Sequence, residues 1–506
     1  MISGRARRTL LLATGAAAAA GGALAAWRYH QLGLTLTHYD ARGHLVVARR
    51  IADSITPGWQ QIGAVWLPLP HLLNALPVQI DFFYRTGASG VAISIASYAV
   101  ATAAIAWIVA TLGESIAASL AAAAAFALNP NVVYLQSTPM TEPLLLATTT
   151  VAVAMLIAWC RGSGRPNAAA VGVAFALACL TRYEAWPATA CALAAAVWVR
   201  WRRGERAMDA AREVGGIALY PSLAIVAFAI VSRVVVGEWF VASGFFVPEN
   251  KAAGDAWLAA KEIGWGVRML SGPLLVWIGA IGVALAAAQG LLSRRRADAI
   301  LVVALVAMAA IAWAAFYRGH PFRIRYMVPL VAVAAVGAGL LAGAIPRRRL
   351  QRAGAGVLVA VALYELSPLD LRAPMVVEAQ WDRPNLAARA RVTACIGRLE
   401  PGAKIMASMG SLGHYMQEAS ASGFAVRDFL HEGNGDIWLA ALERPQLFAD
   451  WLLIEEKAEG GDMLAHAARA RAAFLDGYQR VCEGAGLALY RRVEGRPEDT
   501  EYADGR

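Results

Sequence analysis

The chain has 506 residues, 58% of them apolar, and a formal net charge of +10 at pH 7. That apolar share exceeds the roughly 45–50% of soluble domains, which excludes a single soluble domain. The positive charge would suggest nucleic acid if the basic residues formed one surface, but they fall between apolar runs and so report membrane topology.

In chain order, Arg5, Arg7 and Arg8 precede an apolar stretch at 9–27, which predicts a cytoplasmic N-terminus and an outer first loop. A cleaved signal peptide fits the same residues; the uncleaved anchor is the preferred reading. Further apolar stretches lie at 87–112, 115–135, 142–160, 167–181, 186–200, 214–236, 272–293, 299–317, 326–345 and 353–368. Each is near the roughly 20 residues that span a bilayer, which predicts about eleven transmembrane helices. Counted from a cytoplasmic N-terminus, the arginine-rich connectors at 161–165, 200–203, 294–296 and 347–349 fall inside, as the positive-inside preference requires. The odd count puts the remainder outside. The chain therefore divides into an α-helical polytopic bundle, 1–368, with a long first outer loop at 28–86, and a small periplasmic α/β domain, 369–506.

In that last part, 404–408, 425–430, 451–456 and 487–492 read as strands, and 412–419, 436–442 and 462–478 as helices. The alternation predicts a mostly parallel sheet. The tail after Glu494 is charged and reads as frayed. Of the five cysteines, Cys160, Cys179 and Cys191 lie in apolar runs, whereas Cys395 and Cys482 lie in the outer part, where an oxidising compartment permits a disulfide.

Charged residues at the outer mouths of apolar helices are costly unless they act. The first loop holds Tyr39, Asp40, Arg42 and His44, followed by Arg49, Arg50 and Asp53, with helical periodicity across 39–54. The second outer connection carries Thr141 and Glu142, the third Arg182 and Glu184, and the fourth Arg318, His320, Arg323, Arg325 and Tyr326. Interfacial anchoring explains any one of them; four on one face point to function. Asp40, ionised at neutral pH, is suited to take a proton from an attacking hydroxyl as general base. Arg318, Arg323 and Arg325, with Tyr326 and Arg42, are suited to hold a phosphate. Glu142, Arg182, Glu184 and His44 read as auxiliary or acceptor-contacting groups. The polar turn at His431, Glu432 and Asp436 either contacts an acceptor or uses Asp436 to cap the following helix. No P-loop or GxGxxG follows a strand.

Tyr39-Asp40, Thr141-Glu142, Arg325-Tyr326 and the outer α/β tail together resemble the GT-C glycosyltransferases. Within these the chain is most similar to the dolichyl-phosphate-mannose-protein mannosyltransferase-like and aminoarabinose-transferase-like group. The resemblance implies a polyprenyl-phosphate sugar donor, an acceptor met on the periplasmic face of the bacterial inner membrane, transfer of a hexosyl or pentosyl group, and Asp40 as the first-loop acid. Where those mannosyltransferases show two adjacent acids, this chain has Ala41 after Asp40. His44 then orients the base, binds a divalent metal together with Asp40, or caps the loop. A multi-span lipid or glycan transporter or flippase is the rival class, but it is expected to carry charges near the bilayer midplane and paired repeats, which this sequence lacks. An O-antigen ligase or polymerase-like enzyme, using a similar donor, is the nearer alternative.

Overall fold

The computed structural model describes residues 2–63, 65–162, 166–237, 239 and 250–493. The charged tail from Glu494 and the Arg165 end of the 161–165 connector lie outside the described residues. The chain forms two compact units. One comprises Met1–Thr35, Ala64–Pro70 and Gly90–Ala379; the other comprises Leu36–Gly63, His71–Ser89 and Gln380–Arg506.

The first unit is helical, and all eleven apolar stretches fall on helices. Seven are long and apolar enough to cross a bilayer: Gly4–Gln31, Ala88–Leu112, Glu142–Cys160, Ala207–Val235, Pro273–Leu292, Arg294–Tyr317 and Ile324–Gly343. Ile116–Ala127 and Ala168–Cys179 are shorter apolar helices. Ala185–Arg202 and Arg348–Glu365 carry arginines at one end. Among the described residues, helix length and composition thus mark seven candidate spans, and the expected eleven is not established. An additional helix, Ala256–Ser271, was not anticipated from the sequence; it exposes Trp257 and Trp265.

Local chemistry sets the helix ends. The Ser115, Asn129 and Asn167 side chains accept the first free backbone N–H groups, and Pro130, Pro273 and Pro329 occupy first-turn positions where no N–H is needed. The Pro273–Leu292 and Pro329–Gly343 helices approach so closely that a Cβ on Gly282 would run into the backbone carbonyl of Gly337, and one on Gly337 into that of Gly279. Glycine is what allows the two backbones to meet.

The connectors sort to opposite ends of this bundle. At one end Arg161 and Arg203, the latter at 3.3 Å, converge on the buried Asp298. At the other, Asn129 and Asn131 donate to the Leu270 carbonyl, Asn131 accepts from Met375 N–H, and Arg182 reaches Glu142.

The second unit is built on a five-stranded sheet: β1 (Ile405–Ala407), β2 (Phe429–Leu430), β3 (Trp451–Glu455), β4 (Tyr478–Gly484) and β5 (Leu487–Arg492), in the order β2-β1-β3-β5-β4. β1 pairs in parallel with β2 and β3, whereas β5 is antiparallel to β3 and β4. The sheet is therefore mixed rather than mostly parallel. The expected 462–478 helix ends at Ala470, and Tyr478 opens a strand; half of 425–430 is a 3-10 turn before a two-residue strand.

Side chains alternate between two cores, as a strand period of two requires. Ile405, Ala407, Leu453, Leu487 and Leu489 point to one, and Met406, Leu452, Ile454, Ala488 and Tyr490 to the other. The first core also holds Leu45, Val46, Ala48, Val78 and Tyr84, so the first-loop helix Tyr39–Arg50 and the turn of helix after it pack into this unit. Cys395 and Cys482 form a disulfide that ties the Leu386–Ile396 helix to β4.

Candidate active site

The sequence-predicted residues gather as two groups, one in each unit. In the helical unit the centre is Arg182, in the turn between Ala168–Cys179 and Ala185–Arg202. Its Nη1 donates to Glu142 Oε1 and to Thr141 Oγ1, both at 3.0 Å. Its Nε and Nη2 fork onto Glu184 at 3.1 and 2.7 Å. Burial opposes the Arg182 charge, but Glu184 and then Glu142 hold its pKa above the ordinary value. Glu142 is 1% exposed and is the first residue of the Glu142–Cys160 helix, where the helix dipole favours a negative charge. Its Oε2 is buried and has no hydrogen-bond partner among the described residues.

Arg325 is close enough to Arg182 for its charge to act on it. It is buried, and its guanidinium lies 5.5 Å from the Tyr326 ring centre. The Tyr326 hydroxyl meets His320 Nε2 at 3.3 Å. The three arginines of this stretch have different surroundings: Arg318 is exposed, Arg323 partly buried and Arg325 buried. Arg325 lies beside the paired Arg182.

In the second unit, Asp40 is the second residue of Tyr39–Arg50 and is 6% exposed. The helix starts there because His38 caps it: His38 Nδ1 accepts the Asp40 N–H at 3.1 Å. Arg42 donates to the Leu36 carbonyl at 2.7 Å and to Glu418 at 2.8 Å. His44, one turn beyond Asp40, meets His71, with Nδ1 and Nε2 3.0 Å apart and both rings buried. One ring must donate and the other accept. Among the described residues no three His, Cys, Asp or Glu side chains converge as a metal-holding set. In this group the assembled pair is His44 with His71.

In the 431–436 turn His431 and Asn434 are buried, whereas Gly435 and Asp436 are exposed. Glu432 accepts the Met409 N–H at 2.7 Å and the Ser408 hydroxyl, capping the Met409–Ala419 helix from outside. His431 is fully buried, and its Nδ1 accepts the Gly433 N–H at 3.0 Å. Burial first, and the Arg50 charge second, keep its imidazole well below the usual histidine range. Asp436 is the first residue of its helix, and the capping position is Gly435, at φ +59°, so the expected Asp436 cap is replaced by a glycine turn.

Sequence reading missed His38, His71, Glu418, His414 and Trp381. His414 lies one turn before Glu418; burial, Arg42 and Arg389 push it down to about 3. Trp381 packs edge to face with Tyr39, ring centres 5.9 Å apart. Of these, only His38, just before an apolar-periodic run, carried a positional signal.

No family model and no curated protein matches the sequence. Among solved structures, the chain is similar to ArnT from Cupriavidus metallidurans bound to undecaprenyl phosphate, at 13% identity, covering 97% of this chain and 99% of that one, with a TM-score of 0.56. It is similar to the same protein in the apo state at 12% identity, covering 94% and 98%, with a TM-score of 0.57. Over nearly its whole length the chain thus has the fold of ArnT.

Proposed function

We propose that the chain is a membrane glycosyltransferase that moves a sugar from a polyprenyl-phosphate donor to an acceptor on the outer face of the bacterial inner membrane. The observation that carries this is fold likeness across 97% of the chain to a protein whose structure holds undecaprenyl phosphate. The Cys395–Cys482 disulfide supports an oxidising, outer location for the second unit.

In the proposed reaction the acceptor oxygen attacks the anomeric carbon as Asp40 takes the hydroxyl proton, and the bond from that carbon to the lipid phosphate oxygen breaks, releasing polyprenyl phosphate. Attack opposite the leaving group inverts the anomeric centre. Asp40 suits the base role because it sits on a capped, buried-face helix, and a rigid mount holds near-attack geometry. Arg325 suits the phosphate best, since a guanidinium presents paired donors to phosphate oxygens. Arg318, Arg323 and Tyr326 lie on the same stretch and are its proposed neighbours. Arg42 is already engaged by Glu418, so its help would require that exposed pair to open. Arg182 is spoken for by two carboxylates and is proposed to seat Glu142 at the first turn of its helix. His431 and Glu432 are proposed to act through the fold rather than on the acceptor, because their polar atoms turn inward.

The test is the chain in proteoliposomes with a panel of labelled polyprenyl-phosphate sugars and membrane extract, comparing wild type with Asp40→Asn. Release of free polyprenyl phosphate by wild type alone, with both proteins folded, is the expected result. Equal turnover by the variant would remove Asp40 from the role, and no turnover with any donor would remove the transferase reading.

A further inference from the structure

We propose that Trp381 and Tyr39 form a stacking platform for a neutral pyranose ring beside Asp40, a role that rests on the transferase reading above. Trp381 is 48% exposed, although a large indole is expected to bury most of its surface. Its ring stands at 82° to that of Tyr39. With about half of its surface open, the indole has area left for a ligand beside the near-perpendicular Tyr39 ring. The C–H-rich face of a pyranose carries the weakly positive hydrogens that an aromatic face attracts, in the geometry that favours edge-to-face aromatic pairs.

Both rings sit on anchored backbone. Tyr39 is the first residue of its helix and is stacked on the capping His38, 4.9 Å between centres and 22° between planes. Trp381 precedes Asp382, which accepts from Asn385 at 3.0 Å and pairs with the buried Arg389 at 3.4 Å; Arg389 donates to Glu455 at the end of β3, at 2.8 Å. The backbone next to the indole is thereby tied to the sheet. A ring ordered before binding loses little entropy when it takes a ligand.

Polar groups share the helix face that carries Tyr39. Arg42 is three residues beyond Tyr39, hence on the same helix face, and its partner Glu418 is 41% exposed. Together they offer donors and acceptors beside an apolar face, the combination that small polar ligands with one apolar side require. Asp40 follows Tyr39 directly. The ring on the platform belongs to the donor sugar or to a glycan acceptor, since both substrates approach the base in the proposed reaction.

The test uses the full chain in lipid nanodiscs, and methyl α-D-glucopyranoside, mannopyranoside and galactopyranoside as probes, read by saturation-transfer difference NMR. It is run in the Asp40→Asn background, so that failure of the base assignment leaves the result intact. Saturation of the ring C–H protons is expected, falling about five- to ten-fold in Trp381→Ala and kept in Trp381→Phe. Unchanged saturation in Trp381→Ala, or none in the parent, overturns the proposal. So does a lowered melting temperature that accounts for the loss, because the indole would then be a structural or interfacial anchor. With turnover established, Trp381→Ala raises KM for one substrate only: the lipid-linked donor if the platform serves the donor, the glycan acceptor if it serves the acceptor. Unchanged KM for both also overturns it.

Discussion

Replacing Arg182 with Met offers the sharpest test of the charge arrangement in the helical unit. The guanidinium neutralises Glu142, 1% exposed, and Glu184, 4% exposed, through forked and single hydrogen bonds. Removing the cation leaves two buried carboxylates facing each other, and breaking one buried pair this way typically costs about 3–5 kcal/mol. The nearby Arg325 charge offsets part of that, which places the expected loss near 3 kcal/mol. Replacing both acids as well, in Arg182→Met/Glu142→Gln/Glu184→Gln, removes the stranded charges and should bring stability to within about 1–2 kcal/mol of wild type, since neutral replacement of a whole buried ion set is often nearly free of penalty. The assay is unfolding of the chain in mixed micelles by SDS titration, extrapolated linearly to zero denaturing detergent. A single variant as stable as wild type, or a triple variant as unstable as the single one, would refute the reasoning. In the first case the carboxylates do not need the arginine; in the second, packing rather than charge accounts for the loss.

Two further outcomes follow from geometry elsewhere. Gly282→Val should push apart the Pro273–Leu292 and Pro329–Gly343 helices and cost at least about 1–3 kcal/mol, with poor recovery of folded chain by size-exclusion chromatography. Gly264→Ala, with nothing within 4 Å of the added carbon, is the silent control. For His431, the folded chain keeps the imidazole neutral, whereas an unfolded histidine takes a proton near pH 6.5. Its contribution is thus present above that pH and lost as pH falls through it, with a slope approaching about 1.4 kcal/mol per unit. His431→Gln should flatten the acid side of a melting-temperature profile by that amount; an unchanged slope would assign the acid sensitivity to other groups.

The membrane part of the fold was legible because a bilayer leaves few choices: a long Ala, Leu and Val run must be helical to satisfy its backbone. The Ala256–Ser271 helix escaped because Lys261, Glu262 and Arg268 break its apolar run. In the sheet, β1, β3 and β5 were visible as short apolar runs. β4 was not, since Arg480 and Glu483 make Tyr478–Gly484 look like the end of a helix. What gives it away is the Gly484-Ala485-Gly486 turn, in which Ala485 and Gly486 both take positive φ. At the site, Glu142, Arg182 and Glu184 could be named from their places at helix mouths. That one arginine serves both acids could not, because the two connectors are 40 residues apart and only the packing brings them together.

The largest gap concerns Asp40. The apolar stripe of Tyr39–Arg50 says that the helix buries a face, but a stripe does not say against what. In the structure Leu45, Val46 and Ala48 share a core with Leu412, Tyr415 and Met416, residues more than 360 positions later. Polar links repeat the connection. Asp53 accepts from the Val426 and Arg427 N–H groups, Gln61 donates to the Gly433 carbonyl at 2.7 Å, and Asn434 reaches Ser54 and Thr56. A cut at residue 369, where the last apolar stretch ends, would therefore divide a single hydrophobic core. The helix bearing Asp40 is seated by the C-terminal sheet and its helices, not by the first loop alone. Loss of activity after deleting the C-terminal region would consequently report the unseating of that helix, and could not by itself be taken as evidence that the region recognises the acceptor.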